Sequence, residues 1–401
     1  MKILILCNKS PYPAKEGGPI AMNAIIEGLY QAGHNVKVLA INSNKYGINV
    51  QDIPESYRSK TNIETAFVDL SIKPIDAFVN LFSGKSYHVE RFISNDFENK
   101  LIEILTKDEY DIVQFETLYI SPYTDIIRKH SKAKVVLRSH NIEHLIWERV
   151  ASISRNPFKK IYLKHLSKTL RNYELGMLNQ YDGIATITKK DGDTLQKLGC
   201  KIPLIDIPFG INISDLKSNP GIEAEFPSLF HLGAMNWMPN EEGIRWFLDE
   251  VWPDVNKAFP ELKFYLAGRN MPDWITNANL PNVVVKGEVD DAFDFMYSKA
   301  IEIVPLFSGS GIRIKIIEGM AAEKAVISTT IGAEGINVES GKNIIIANDP
   351  QEFFDAVKRL ISDKLLCKTL GENARKLIEK DHDNQKLIER LEKFYQKIIS
   401  Q

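Results

Sequence analysis

Residues 300–321 read AIEIVPLFSGSGIRIKIIEGMA. An apolar run of strand length is followed by a turn of small residues, Ser308, Gly309, Ser310 and Gly311, and then by a helix-forming segment from Ile312 onward. Strand, small-residue turn and helix in that order form the repeating half of a doubly wound α/β sheet. A helix N-terminus presents unpaired N–H groups and the positive end of the helix dipole. Arg313 and Lys315 add formal positive charge at that same end, where cations oppose the dipole. A bound anion between them reconciles the two, and the glycines let a phosphate approach the backbone. Glu318, five residues after Arg313, is placed to accept hydrogen bonds from ribose hydroxyls. The competing reading is a structural Gly-rich turn followed by a solvated helix face.

The same grammar runs outward in both directions. KILILCN (2–8) is a short β run, IAMNAIIEGLYQA (20–32) has helical periodicity, Gly33 stops it, and NVKVLAI (35–41) is the next strand. YDIVQFE (110–116), KVVLRSH (134–140) and YDGIATIT (181–188) are apolar runs of the kind parallel strands bury on both faces, and PLIDIPFGIN (203–212) closes this half. The pattern then restarts with SLFHLGAM (228–235), LKFYLAG (262–268), NVVVKG (282–287), AIEIVPLF (300–307), KAVISTT (324–330) and NIIIAN (343–348). Helical stretches separate them at 240–250, 290–299, 312–322 and 350–361. The expectation is an α/β chain of two Rossmann-like, doubly wound domains, 1–208 and 209–382, facing a central cleft where open α/β sheets bind ligands. Residues 383–401 form a last helix with the reach to cross back to the first domain.

Composition narrows the function classes. The chain has 401 residues, 44% apolar and 25% charged, with net charge −2. This is an ordinary globular balance with no global field for nucleic acid or membrane. Cys7, Cys200 and Cys367 are far apart and show no metal spacing, which fits a reducing compartment. The first apolar run is too short for a signal peptide and lacks a cleavage site, and no stretch approaches bilayer-spanning length, so a cytoplasmic protein is expected.

A second glycine loop, CNKSPYPAKEGGPIAMN (7–23), brings Gly17 and Gly18 to the start of a helix with Pro19 beside them. It is not G-x-G-x-x-G, and a plain β–α turn reads equally well. His140 ends its strand at the C-terminal edge, as a cleft residue does, with Asn141, Glu143 and His144 following; the alternative is a half-buried loop histidine. HNIEH is not a zincin motif, because Ile142 occupies the Glu position. The DGD at Asp191–Asp193 imitates a D-x-D metal motif, but its place at a helix start points to N-capping, and DHD at Asp381–Asp383 reads as a surface turn. No metal site is expected.

Taken in order, the Gly17–Gly18 loop, GHNVKVL, YDIVQFE, SHNIE, IPFGIN, LGAMNWMPN, VKGEVDD, GSGIRIKIIEGMA and VISTTIGAEGI resemble the retaining glycosyltransferases of family 4, the glycosyl transferases group 1 set with the GT-B fold. The likeness spans nearly the whole chain and is nearest to a bacterial polysaccharide-assembly type. It implies a retaining, metal-independent transfer from a nucleotide-sugar co-substrate, with no other cofactor, to a glycan or lipid-linked acceptor. The N-terminal domain would hold the acceptor and the C-terminal domain the nucleotide. It implies donor contacts at Gly17, Gly18, Ser308, Gly309, Ser310, Gly311, Ile312 and Glu318, catalytic roles for His140, Arg313 and Lys315, and acceptor contacts at Asn141 and Glu143. Two departures stand out. The first of the family's two glutamates falls on Ser310, and the Arg–Lys pair expected after the first C-domain strand is missing, so Arg313 or Lys315 is expected to replace it. Two other readings share the architecture: a nucleotide-sugar 2-epimerase, and a nucleotide-sugar-binding protein that has lost catalysis.

One further segment is unusual. Residues 155–171, RNPFKKIYLKHLSKTLR, hold six Lys or Arg and no acid, with Phe158, Ile161, Tyr162, Leu163, Leu166 and Leu170 at helical spacing. A basic amphipathic helix can lie on an anionic membrane surface, here at the inner face of the membrane; a helix packed on its own domain with a solvated basic face is the alternative.

Overall fold

The computed structural model describes every residue except 15, 72–79, 82, 155, 217–220, 278, 279 and 310. Ser310 therefore lies outside the described residues, as does Arg155. The chain divides into two compact units, Met1–Gly210 with Asn384–Gln401, and Ile211–Asp383.

In the first unit the strands are β1 (Lys2–Cys7), β2 (Asn35–Asn42), β3 (Glu64–Phe67), β4 (Ile112–Phe115), β5 (Lys134–Ser139), β6 (Gly183–Thr186) and β7 (Leu204–Asp206). They form one parallel sheet of order β3-β2-β1-β4-β5-β6-β7. β1 shows why both faces must be covered. Leu4 and Leu6 pack with Phe97 and Leu101 of the helix Asn95–Lys107, while Ile3, Ile5 and Cys7 pack with Met22, Ile25, Ile26 and Leu29 of the helix Gly17–Gln31. The period of two along the strand sends alternate side chains to two helical layers. β3 escaped the sequence reading because it is an edge strand of four residues with only Ala66 buried.

The terminal helix Asn384–Ile399 joins this unit. Its Leu387, Ile388, Leu391, Phe394, Tyr395 and Ile398 fall on one helical face and enter the same core as Ile3 and Ile25. Each such burial is worth roughly 1.5–3 kcal/mol. Small residues make the seat: a Cβ on Gly28 would stand 2.6 Å from Ile388, and one on Gly183 2.4 Å from Ile398.

The second unit holds β8 (Ser228–Leu232), β9 (Lys263–Ala267), β10 (Val283–Gly287), β11 (Ile301–Val304), β12 (Ala325–Ser328) and β13 (Ile345–Ile346). Its sheet is also parallel, of order β10-β9-β8-β11-β12-β13. Both sheets follow the 3-2-1-4-5-6 order of a dinucleotide-binding fold. Its switch points lie between β1 and β4 and between β8 and β11, where successive crossovers leave to opposite faces and the strand ends open a crevice.

Two local expectations are corrected. The helix Lys189–Lys197 has Thr188 as its cap residue, whose Oγ1 accepts from the Asp191 amide at 3.0 Å and donates to Asp191 Oδ2 at 2.7 Å, so Asp191 supports the cap from within the first turn and is not itself the cap residue. Asp381–Asp383 is not a surface turn. His382 is buried, its carbonyl accepts from the Ile211 amide at 2.8 Å, and Asp383 bridges to Ile211. Here the chain leaves the second unit alongside the segment by which it entered.

Candidate active site

In the second unit the crevice lies at the C-terminal ends of β8 and β11. The stretch quoted first forms β11, a loop through Gly311, and the helix Ile314–Ala321, with Arg313 as the residue before its first turn. Arg313 makes no side-chain capping bond to this helix, and the first-turn N–H groups of an α-helix have no intrahelical partner. Gly309 has φ +102°, a conformation that glycine adopts without strain. A Cβ there would meet the Trp237 ring at 3.1 Å and Arg313 Nη2 at 3.2 Å. Arg313 is buried, donates from Nη1 to the Gly311 carbonyl, and stands 5.6 Å from the Trp237 ring centre. Burial lowers its pKa from the ordinary guanidinium value, partly offset by Glu334, and it stays charged at neutral pH. Ser308 Oγ donates to Glu242 Oε2 at 3.2 Å, and Ile312 is half-buried in the loop.

Lys315 crosses from this helix to the end of β8. Its Nζ donates to Asn240 Oδ1 at 2.8 Å and lies 3.1 Å from His231 Nε2. A Cβ on Gly233 would come 2.3 Å from that Nζ. The ammonium therefore occupies the loop after the first strand of this unit, the place from which the Arg–Lys pair is missing in sequence. His231 Nδ1 donates to the Ile303 carbonyl at 2.7 Å, which leaves Nε2 as the acceptor facing Lys315. Burial, reinforced by the Lys315 charge, holds His231 well below its ordinary range and keeps it neutral. Burial lowers the pKa of Lys315 as well, with Glu302 and Glu318 opposing. Glu318 is pushed up to about 7 by burial, moderated by Lys315. Glu302, in β11, is fully buried with both carboxyl oxygens unpaired, and burial raises its pKa above the usual carboxylate range. Its carboxyl is pressed against the helix at Gly319, where a Cβ would stand 1.8 Å from Oε2.

In the first unit, His140 follows β5 and rests on a buried polar stack. His140 Nε2 lies 2.8 Å from Glu116 Oε2, and Arg138 Nη1 donates to the same oxygen at 3.1 Å and to the Ala21 carbonyl at 3.3 Å. Gln114 Nε2 donates to Glu116 Oε1, and the hydroxyl of Tyr395, from the terminal helix, donates to Gln114 Oε1. Burial alone would raise Glu116, but Arg138 and His140 outweigh it and hold the carboxyl below its usual range. Burial lowers His140, with the Glu116 contact opposing, so the ring is held neutral. The carboxylate contact then fixes the proton on Nε2 and leaves Nδ1 unprotonated.

Beside this stack, Glu143 opens the helix Glu143–Ile153 and accepts from the Tyr119 hydroxyl at 2.8 Å. Burial pushes Glu143 up to about 7, moderated by the Tyr119 bond and reinforced by Glu174. Glu174 caps that helix, accepting from the amides of Glu143 at 3.0 Å and His144 at 3.1 Å and pairing with His144 Nδ1 at 2.6 Å. Asn141 is half-buried, and its carbonyl accepts from Ser139 Oγ at 2.8 Å. Gly17 and Gly18 begin the helix Gly17–Gln31, and a Cβ on Gly18 would stand 3.4 Å from Lys9 Cε.

Ser308, Gly309, Gly311, Ile312, Arg313, Lys315 and Glu318 thus lie in one unit, on the loop and helix after β11, and His140, Asn141, Glu143, Gly17 and Gly18 lie in the other, after β5 and at the start of the helix that follows β1. Sequence reasoning missed the groups beneath them: His231, Asn240 and Glu302 in the second unit, Gln114, Glu116, Arg138 and Tyr395 in the first. The available signal was a carboxylate or polar residue inside an otherwise apolar parallel strand, as in IEIV and IVQFE. Among the described residues no group of three or more His, Cys, Asp or Glu is arranged to hold a metal ion.

Residues 226–363 match the sequence profile of the family described as Glycosyl transferases group 1. The second unit carries a Glycosyl transferases group 1 domain. The chain is 24% identical over 400 residues to an uncharacterized 44.6 kDa protein in the cps region of Klebsiella pneumoniae, covering 96% of this chain and 97% of that one. It is 28% identical over 181 residues to the capsular polysaccharide biosynthesis glycosyltransferase CapM of Staphylococcus aureus, covering 43% and 47% of the two chains. Among solved structures, the sucrose-phosphate synthase of Thermosynechococcus elongatus superposes with a TM-score of 0.71 at 16% identity over 100% of both chains. Anabaena HepE in complex with UDP-glucose superposes with a TM-score of 0.65 at 15% identity over 98% of both. At these identities the likeness is one of fold, and the fold is GT-B.

Proposed function

We propose that this glycosyltransferase moves a sugar from a nucleotide-sugar donor to a hydroxyl of a glycan or lipid-linked acceptor, with retention of configuration and without a bound metal ion. The observation that carries the reading is the cationic helix N-terminus at the β8/β11 switch point, where Arg313 stands before the first turn and Lys315 within it. Fixed positive charge and oriented N–H groups in a water-poor crevice suit the charge that builds on a departing diphosphate. Here they take the part a metal ion would otherwise play. Glu318 holds the donor ribose. His140, neutral and oriented by Glu116, faces the acceptor side with Asn141 and Glu143.

In the reaction, the bond between the anomeric carbon and the diphosphate oxygen breaks, with its electron pair going to the diphosphate. The acceptor oxygen bonds to the same face of the sugar, and its proton passes to the departing phosphate oxygen. The group 1 resemblance supports retention, and neither Glu302, sealed beneath the helix at Gly319, nor Glu318 at the ribose is placed as the nucleophile that a double displacement needs. The chain works in the cytoplasm, with its acceptor at the membrane's inner face, reached through residues 155–171.

The test is a panel of nucleotide sugars with lipid-linked and soluble glycan acceptors, followed by nuclear magnetic resonance of the products with and without chelator. Transfer with retained anomeric configuration that survives chelation is the expected result. Inverted product, or loss of transfer on chelation that added metal restores, would overturn the corresponding part. A 2-epimerised nucleotide sugar formed without acceptor would overturn transfer itself.

A further inference from the structure

The helix Pro157–Met177 does not present a uniformly polar outside. Leu163, Leu166 and Leu170 are buried against their own unit. Phe158 and Ile161, one turn apart, are 83% and 69% exposed, and Ile153, at the end of the preceding helix, is 78% exposed. Lys160 Nζ donates to the Ser152 carbonyl at 3.2 Å, drawing the two helix ends together at this turn. Three large apolar side chains therefore share one exposed tip. The charge around it is one-sided: from Arg149 to Tyr173 the sequence holds seven Lys or Arg and no Asp or Glu. Lys164, Lys168 and Arg171 are exposed and follow Ile161 at spacings of three and four, so the charges extend the stripe that Phe158 and Ile161 begin. Lys159 is exposed beside them, and the nearest acid in sequence is Glu148 on the preceding helix.

We propose that this tip docks on an anionic lipid bilayer, with Ile153, Phe158 and Ile161 entering the interface and the lysines meeting the headgroups. The occupant follows from the combination of chemistries. Self-association through a twofold contact would bring like charge against like charge. A nucleic acid backbone would use the lysines but leave the two exposed isoleucines without a role. Only a surface that is anionic at its face and apolar behind it satisfies both. The chain as a whole is slightly acidic, at net −2, so attraction to such a surface is local and orients the molecule. The proposal rests on the reading of a membrane-borne acceptor for its purpose, though its test requires no transfer.

The experiment is flotation of the full chain with vesicles of phosphatidylcholine alone and with added phosphatidylglycerol, at low and physiological salt. Two variants are compared, Ile153→Ser/Phe158→Ser/Ile161→Ser and Lys159→Gln/Lys164→Gln/Lys168→Gln, all at exposed positions that tolerate substitution. The chain should float only with anionic vesicles. The lysine variant should lose about fivefold in partitioning per charge, on the order of a hundredfold in all. The serine variant should bind weakly at low salt and lose binding at physiological salt. No flotation at either salt, equal flotation with neutral vesicles, or binding untouched by both variants would overturn the proposal. A dimer that the serine variant dissolves, without flotation, would overturn it in favour of self-association. Nucleoside diphosphate binding, followed by calorimetry on the same variants, should not change. Its absence in a chain that floats would count against the glycosyltransferase site alone.

Discussion

Replacing Lys315 by Gln probes the proposed leaving-group site with least damage to the fold. A Gln amide can still donate toward Asn240 Oδ1 and His231 Nε2, the two partners Lys315 holds at 2.8 and 3.1 Å. What is lost is the charge. A hydrogen bond to a charged group contributes about 1.5–3 kcal/mol, so affinity for a nucleoside diphosphate should fall roughly 10- to 150-fold. The matching nucleoside, which lacks the diphosphate, should bind as before. Titration calorimetry measures both, using the base that most raises the melting temperature in a thermal-shift screen. The pH dependence gives a second, signed readout. Burial lowers the pKa of Lys315 in the free protein, with Glu302 and Glu318 opposing. A bound diphosphate favours the ammonium and raises that pKa again, so binding takes up a proton. Affinity should weaken as pH rises through the lowered value, and the slope should vanish in Lys315→Gln. Equal losses for nucleoside and diphosphate, or proton release on binding, would refute the assignment.

Two stability predictions follow from the buried carboxylates. Gly319→Ala places a Cβ 1.8 Å from Glu302 Oε2 and should lower stability by about 1–3 kcal/mol through overpacking; urea denaturation should show a lower midpoint at unchanged slope, and Glu302→Ala should partly rescue it. Glu116→Gln leaves Arg138 buried without its counter-charge and should cost about 3–5 kcal/mol at neutral pH. Because the Glu116 pKa is depressed on folding, its stabilisation is full above the unfolded carboxylate value and is lost as pH falls through the folded one. The variant should therefore show a shallower acid-side loss of stability than the parent chain, and parallel curves would refute the pairing.

The sequence discloses those parts of this molecule that are local in the chain. Parallel strands buried on both faces are continuous apolar runs, so β1 and β11 announce themselves, whereas the four-residue edge strand β3 does not. The glycine turn before Arg313 was legible because the strand, the small residues and the cations are contiguous. The partners of Lys315 were not, since Asn240 and His231 lie 75 and 84 residues away. The fold brings them together only because β8 and β11 are neighbours at the switch point. The support of His140 was hidden for the same reason: Glu116 is 24 residues upstream, just past the end of the adjacent strand. The misread aspartates show the converse error. Asp191 looked like a cap by residue type, while the residue with the extended backbone that a cap requires is Thr188.

Tyr395 offers the last and most discriminating test, because it lies 281 residues from Gln114 in sequence and still ends the chain of hydrogen bonds that reaches His140. The terminal helix could serve only as packing, or it could also hold the histidine in register through Gln114 and Glu116. Tyr395→Phe separates the two, since it keeps the ring in the core and removes only the hydroxyl. Gln114 Oε1 is then left without its donor in a buried site, at a cost of about 1–3 kcal/mol, and its amide is free to turn over and release Glu116 Oε1. Leu391→Ala serves as the packing control, because Leu391 is fully buried on the same helix and has no polar role. It should cost about 2–5 kcal/mol. If the stack positions His140, Tyr395→Phe should lower the transfer rate by about tenfold to a hundredfold, as small displacements of a reacting group do. The acid limb of its pH–rate profile should move with the altered His140 environment, while nucleoside diphosphate affinity stays constant. Leu391→Ala should lower stability further and leave the profile in place. If both variants instead reduce rate only in proportion to the folded fraction, with superimposable pH profiles, the terminal helix is a strut and His140 takes its orientation from Glu116 and Arg138 alone.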